Sequence, residues 1–195
     1  MIKFKVGIIA LLTTLIAYGA ESQPASPSPP IESYPNAPIA CFLNMSELGV
    51  LTVYQRIQLC SKSSSAYPIQ CFNNFFFQIP AQTLTIDQTI KLCQEATSHA
   101  PTVCFEEAFD LILSIDERIQ LCRKADFQND DPLNQKVLPT APVLCFQRSL
   151  EFPLSPDQRI TLCAQANSDA PVLCLRRTSL LGLSLDQRVR LCVHP

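Results

Sequence analysis

Residues 142–163 read PVLCFQRSLEFPLSPDQRITLC, and this stretch decides the fold. A proline lies three residues before the first cysteine, a Ser-x-x-Gln box begins at Ser155, and the second cysteine follows Ser155 by eight residues. The same pattern, with Ser or Thr and Gln or Glu in the box, occurs five times and contains all ten cysteines of the 195-residue chain. A repeat of this kind dictates the architecture of a chain. The five units cover residues of about 38–65, 66–98, 99–125, 140–168 and 169–195.

Each unit is predicted to form two short helices. The first begins at the proline, which suits the first helical turn because its missing N–H would have no partner there. The second begins at the box, where Ser155 caps the helix and Gln158 reaches back to the cap. Ile160, Leu162 and Cys163 then form one apolar face at helical spacing, and every other unit has Ile or Val, Leu and Cys at these positions.

The fold class that follows is all-α. Helices of about ten residues are marginally stable alone, so the two helices of a unit must pair and the units must stack. The whole chain contains only four glycines, which suits helices better than a loop-rich disulfide scaffold. We therefore predict five tandem disulfide-stapled helical hairpins that form a short α-solenoid-like array.

Two pairings of the cysteines are plausible. In an antiparallel hairpin the start of the first helix lies beside the end of the second, so the two cysteines of one unit meet. The rival scheme links each unit to the next, as in Cys60–Cys71, and leaves Cys41 and Cys192 unpaired. We favour the within-unit scheme because it uses every cysteine and closes loops of about 18 residues, each contributing about 3 kcal/mol. Its pairs are Cys41–Cys60, Cys71–Cys93, Cys104–Cys122, Cys145–Cys163 and Cys174–Cys192.

The N-terminus has the layout of a secretory signal peptide. Two lysines among the first five residues precede an apolar stretch from Val6 to Ala17, and small residues follow it. This stretch is shorter than the roughly 20 residues that a spanning helix needs. We therefore predict a signal peptide over residues 1–22, cleaved near 19–22, and no membrane span in the mature chain. Ten cysteines in an exported chain indicate disulfides in an oxidising compartment, so the protein is predicted to be secreted or periplasmic.

Two further segments differ in composition from the repeats. Residues 23–37, QPASPSPPIESYPNA, contain five prolines and are predicted to form an extended linker between the signal peptide and the array. The third unit is followed by extra polar and acidic residues, which are interpreted as an inserted surface loop over residues 126–139.

No motif in the chain indicates a reaction. A structural zinc site needs closely spaced ligand pairs, whereas the cysteines here are far apart and the only histidines are His99 and His194. We therefore expect no metal and no other cofactor. The sequence also lacks a G-x-S-x-G, a phosphate-binding glycine loop and an H-E-x-x-H, so we predict that the protein is not an enzyme. A formal net charge of −2 argues against a nucleic-acid partner.

Two sets of residues are candidates for a partner surface. Phe75, Phe76 and Phe77 form the densest apolar cluster, and three consecutive aromatic residues cannot all face one side of a short helix. The cluster indicates either a deeply sandwiched unit or an exposed patch for a partner or a lipid. Four arginines share one position of the second helix, so stacking would align them as a solvated face or as a surface for an acidic partner. They are Arg56, Arg118, Arg159 and Arg188.

An exported repeat array offers an extended surface, so the favoured function is a non-enzymatic protein-interaction or structural module outside the cytoplasm. One alternative is a carrier of a lipid or a small apolar ligand, suggested by the phenylalanine cluster. Another is an inhibitor of a secreted hydrolase, which would use the loop over residues 123–140. Asn44 begins an N-glycosylation sequon and is a candidate glycosylation site if the pathway is eukaryotic.

Overall fold

The computed structural model of the protein describes residues 37–45, 49–78, 84–126 and 140–193, and the part it describes is helical, with ten α-helices and no strand. The prediction of an all-α repeat array is thereby confirmed. The helices are α1 (Ala37–Asn44), α2 (Val53–Cys60), α3 (Tyr67–Gln78), α4 (Ile86–Cys93), α5 (Ala100–Glu107), α6 (Ile115–Cys122), α7 (Ala141–Ser149), α8 (Pro156–Cys163), α9 (Ala170–Arg177) and α10 (Leu185–Cys192).

Three predicted segments fall mainly beyond this part of the chain. The signal peptide over residues 1–22 lies wholly outside the described residues. So do all but the last residue of the linker 23–37 and all but the first residue of the loop 126–139. These three assignments stay predictions.

Each second helix is eight residues long and begins with a complete capping box. In unit 4 the Ser155 hydroxyl accepts a hydrogen bond from the Gln158 N–H at 3.2 Å, and the Gln158 side-chain oxygen accepts one from the Ser155 N–H at 2.8 Å. These bonds satisfy two backbone donors at the helix N-terminus that would otherwise lack partners. The capping residues are Thr52, Thr85, Ser114, Ser155 and Ser184.

The ten helices form two layers. Each hairpin packs its first helix against its second. The second helices also contact one another in the order α2, α4, α6, α8, α10, and the first helices do so in the order α1, α3, α5, α7, α9. From unit 2 onward, each first helix contacts the second helix of the preceding unit. The five hairpins are therefore stacked in register, as in an α-solenoid.

Every unit contains one disulfide between its two helices. The bonded Cα atoms lie 5.4 to 5.6 Å apart, within the usual range for disulfides. The second cysteine of each unit is the last residue of its helix, so the bond closes the open end of the hairpin. The bonds are Cys41–Cys60, Cys71–Cys93, Cys104–Cys122, Cys145–Cys163 and Cys174–Cys192, which are the within-unit pairs.

Units 3 and 4 stay stacked although the insertion separates them in sequence, since α7 contacts both α5 and α6. Glu107, the last residue of α5, accepts a hydrogen bond from the N–H of Thr140 at 2.6 Å. Thr140 is the residue directly before α7. This bond fixes the start of unit 4 on the end of the first helix of unit 3.

Candidate interaction surfaces

The three consecutive phenylalanines lie in three different environments. Phe75 is buried, and its ring meets the Phe105 ring of unit 3 edge to face at a centroid distance of 5.4 Å. Phe76 is half-buried and stacks on Phe72, also at 5.4 Å. The side chain of Phe77 is exposed. The cluster therefore stabilises the junction between units 2 and 3 and leaves one ring at the surface.

In units 2 to 4, exposed apolar side chains lie where the hairpin turns from its first helix to its second. Phe77 lies near the end of α3, Phe109 lies in a short 3₁₀ turn after α5, and Leu150 directly follows α7. Ile112, in the turn of unit 3, is fully exposed. We name Phe77, Phe109, Ile112 and Leu150 the turn edge. Exposed apolar residues grouped in this way are typical of interaction sites.

One residue of the turn edge is held in place by its neighbours. The Phe109 ring meets the Phe105 ring edge to face at 5.7 Å, and the Arg118 guanidinium lies 4.5 Å from the centre of the Phe109 ring. A cation over an aromatic face is attracted by the ring quadrupole. Because Phe105 is fully buried, this arrangement anchors an exposed ring to the core of unit 3.

The opposite edge, where one unit leads into the next, is polar. Glu95 of unit 2 lies between Lys62 of unit 1, at 3.2 Å, and Lys124 of unit 3, at 3.6 Å. Partial burial of the Glu95 carboxyl raises its pKa, but the Lys62 hydrogen bond and the charges of Lys124, Lys62 and Arg123 together outweigh burial, so the pKa is lowered overall. Each exposed ion pair contributes little to stability. Together the two pairs connect three successive units at this edge.

The four arginines that share one helix position are engaged inside their own units. Each is half-buried and donates to a backbone carbonyl oxygen. Arg56 Nε donates to the carbonyl of Leu51 at 3.2 Å, and Arg118 Nε donates to that of Leu113 at 3.1 Å. The other two bonds run from Arg159 to the carbonyl of Phe152 and from Arg188 to that of Leu175. The row thus ties the second helix of each of these units to the chain that precedes it.

Repeated aspartates connect neighbouring units, a role that the sequence analysis did not assign. The Gln55 side-chain amide donates to the Asp87 carboxylate at 3.0 Å, and the Gln158 amide donates to the Asp186 carboxylate. In both cases the donor is the glutamine of a capping box, and the acceptor is the second residue of the next second helix. The recurrence of Gln and Asp at fixed positions was the available sequence signal.

Serines near the starts of the first helices were also missed. The hydroxyl of Ser98 accepts a hydrogen bond from the N–H of Ala100 at 3.2 Å, and that of Ser168 accepts one from Ala170 at 3.2 Å. The hydroxyl of Ser65 likewise accepts a hydrogen bond from the N–H of Tyr67. In these units a serine two residues before the helix therefore supplies an N-terminal acceptor, which satisfies a backbone donor that the helix itself leaves open.

The candidate glycosylation residue, Asn44, is exposed at the end of α1. The hydroxyl residue of its sequon, Ser46, lies outside the described residues. His99 directly precedes α5, and His194 lies outside the described residues. In the described part of the chain, no group of three or more His, Cys, Asp or Glu residues is placed to hold a metal ion.

No protein-family profile, curated protein or solved structure matches this sequence. None of the helices described is long and apolar enough to cross a membrane. The five intramolecular disulfides are typical of an oxidising environment, extracellular or periplasmic, because the cytosol keeps thiols reduced.

Proposed function

We propose that the protein is exported and acts outside the cytoplasm as a non-enzymatic protein-interaction or structural module that binds a protein partner through the turn edge. The observation that carries this proposal is Ile112, an isoleucine with a fully exposed side chain in a hairpin turn. Phe109 of the same unit and Leu150 of the next unit are also exposed at their hairpin turns and add apolar surface. A hydrophobic core flanked by polar residues is the usual anatomy of a protein interface.

The stacking of the units sets the spacing of these apolar side chains. Packed helices lie about 8–10 Å apart, so equivalent positions of adjacent units repeat at about that distance. A segment in the polyproline II conformation has three residues per turn and advances about 3.1 Å per residue, so every third side chain lies on one face at about the interval between units. Phe109 and Leu150, each five residues after the first cysteine of its unit, thus fit a segment with apolar side chains at every third position.

The two alternative functions have less support. A lipid carrier would need the phenylalanine cluster to line a cavity, but Phe75 packs on Phe105 and Phe76 packs on Phe72. A hydrolase inhibitor would use the loop over residues 123–140, most of which lies outside the described residues. Both stay predictions that no contact in the structure favours.

Site-specific cross-linking tests the proposal. A photo-reactive residue at Ile112 should capture a defined protein from the exterior of the producing cells, saturably and competed by the unlabelled chain. The same residue placed at Gln165, which is exposed on the opposite edge, is the matched control and should not capture it.

Binding of the captured protein then gives the quantitative test. Ile112→Asp should weaken it by about tenfold or more, as expected for a residue central to an interface, without changing the unfolding midpoint. Equal capture at Ile112 and Gln165, or unchanged binding by Ile112→Asp, would contradict the proposal.

A further inference from the structure

The repeat allows the same position to be compared in every unit, and this comparison identifies an unusual face on unit 1. The Ile or Val that lies three residues before the second cysteine is 5% exposed or less in units 2 to 5, but Ile57 of unit 1 is 52% exposed. The residue after the repeat proline is likewise buried in units 2 to 5, but Ile39 is 59% exposed. The side chains that elsewhere form the junction with a preceding unit therefore lie at the surface of unit 1.

Unit 5 shows the complementary change. The leucine that directly precedes the second cysteine is buried in units 1 to 4, whereas Leu191 is 55% exposed. Leu180, at the end of the 3₁₀ turn that follows α9, is 92% exposed. On the side of unit 5 that faces away from unit 4, Leu191 is thus exposed although units 1 to 4 bury this position. Leu180 lies at a turn position that is exposed in units 2 to 4 as well. Terminal repeats of solenoids usually have polar outer faces.

Contacts at the inner junctions show which positions of two adjacent units meet. Arg176, two residues after the first cysteine of unit 5, forms an ion pair at 2.6 Å with Glu151, six residues after the first cysteine of unit 4. In unit 1 the position of Arg176 is occupied by Leu43, and in unit 5 the position of Glu151 is occupied by Leu180. An ion pair at an inner junction therefore corresponds to two exposed leucines at the two ends.

A second pair of positions also meets at inner junctions and carries a different residue in unit 1. At two inner junctions the capping-box glutamine of one unit donates to the second residue of the next second helix, as Gln55 donates to Asp87. Units 2 to 5 all have aspartate at this acceptor position, whereas unit 1 has Tyr54, which is exposed. The corresponding glutamine of unit 5 is Gln187, and a tyrosine hydroxyl can accept a hydrogen bond from its amide.

We propose that this protein assembles end to end, with unit 5 of one copy stacking on unit 1 of another in the geometry of the inner junctions. Leu180 of one copy then packs on Leu43 of the next, Gln187 meets Tyr54, and Leu191 is covered together with Ile57. The interface continues the one already present between units, which is why a second copy is its occupant. Two different faces meet, so the contact is heterologous and produces rings or open chains rather than closed two-fold dimers.

This proposal uses the ends of the array and does not depend on the turn edge. Sedimentation velocity of the full exported chain, with its disulfides intact, tests it between about 1 μM and about 1 mM, a range that covers weak to moderate association. The weight-average sedimentation coefficient, and with it the average mass, should rise smoothly with concentration as dimers, trimers and longer assemblies form.

Reciprocal charge variants then test the register. Leu43→Arg alone and Leu180→Glu alone each place a charge opposite a leucine, and each should weaken self-association by about tenfold or more. A mixture of the two variants should restore it, because the new glutamate meets the new arginine as Glu151 meets Arg176, and the unchanged leucines meet at the other junctions. Ile112→Arg, on the turn edge, is the matched control and should self-associate as strongly as the wild type.

Two results would overturn the proposal. One is a wild-type chain that stays monomeric over the whole concentration range, which would show that the exposed faces do not bind each other. The other is a mixture of Leu43→Arg and Leu180→Glu that associates no better than either variant alone, which would show that any association uses another register or another surface. Both variants alter exposed positions, so circular dichroism and the unfolding midpoint should match the wild type and exclude a folding defect.

Discussion

Unit 1 and the inner units have the same sequence pattern but use it differently. Ile90 of unit 2 is completely buried, while Ile57, at the same position of unit 1, is half exposed. Both units have the capping box, the disulfide and the paired helices. The difference therefore comes from the neighbouring unit and not from the hairpin. Local bonds shape each hairpin, and burial between hairpins supplies the stability that such short helices lack alone.

The largest expected effect sharpens this comparison. Ile90→Ala removes a fully buried side chain and leaves a cavity at a junction, so it should lower the free energy of unfolding by about 2–5 kcal/mol. Ile57→Ala changes a half-exposed side chain and should cost about 0.5 kcal/mol or less in a dilute, monomeric sample. Urea unfolding followed by circular dichroism measures both values. Equal losses would contradict the view that burial by the preceding unit determines how much this position contributes to stability.

A smaller effect should be the same in an inner unit and at the end of the array. Ser155→Ala and Ser184→Ala each remove the side-chain acceptor of a capping box, and each should cost about 1 kcal/mol. The two bonds lie wholly within their hairpins, so neighbouring units should not alter the loss. Urea unfolding of the two variants under identical conditions checks this. A loss of stability in Ser155→Ala but not in Ser184→Ala would show that capping is coupled to stacking.

The smallest expected effect depends on pH. In unit 3 the capping box has Glu117 where the other units have glutamine, and its pKa is lowered by hydrogen bonds from the Ser114 hydroxyl and the Ser114 N–H. A carboxyl with a lowered folded-state pKa stabilises the fold above its unfolded pKa and loses that contribution as pH falls through the folded pKa. Glu117→Gln should therefore change stability by only about 0.5 kcal/mol near neutral pH.

The stability of Glu117→Gln relative to the wild type should then rise as the solution becomes acidic. Unfolding of both proteins across acidic pH measures the difference. Gln187→Glu in unit 5 is the reciprocal control, because Gln187 accepts a hydrogen bond from the Ser184 N–H and a glutamate there should introduce the same acid sensitivity. Parallel pH profiles of stability for Glu117→Gln and the wild type would contradict the lowered folded-state pKa of Glu117.

The sequence was sufficient to predict the repeat fold because five copies of one pattern agree. The hairpin, its caps and the pairing of Cys145 with Cys163 depend on residues close in the chain, and helix geometry brings those residues together. Whether Phe75, Phe76 and Phe77 are buried or exposed depends on which rings lie beside α3, and the sequence pattern does not show this. The exposure of Ile112 could not be predicted either, because an apolar residue in a turn can be covered by a neighbouring element.

The placement of the disulfides has a mechanical consequence. Each bond closes one hairpin, and the five bonds use all ten cysteines of the chain within their own units. A pulling force on the two ends can therefore separate one hairpin from the next but cannot unravel the residues between bonded cysteines. The extensible stretch between the first two units runs from Cys60 to Cys71, or roughly 40 Å when fully drawn out. Under tension the array would lengthen only through the segments between hairpins, and each hairpin would add no further length until its disulfide was reduced.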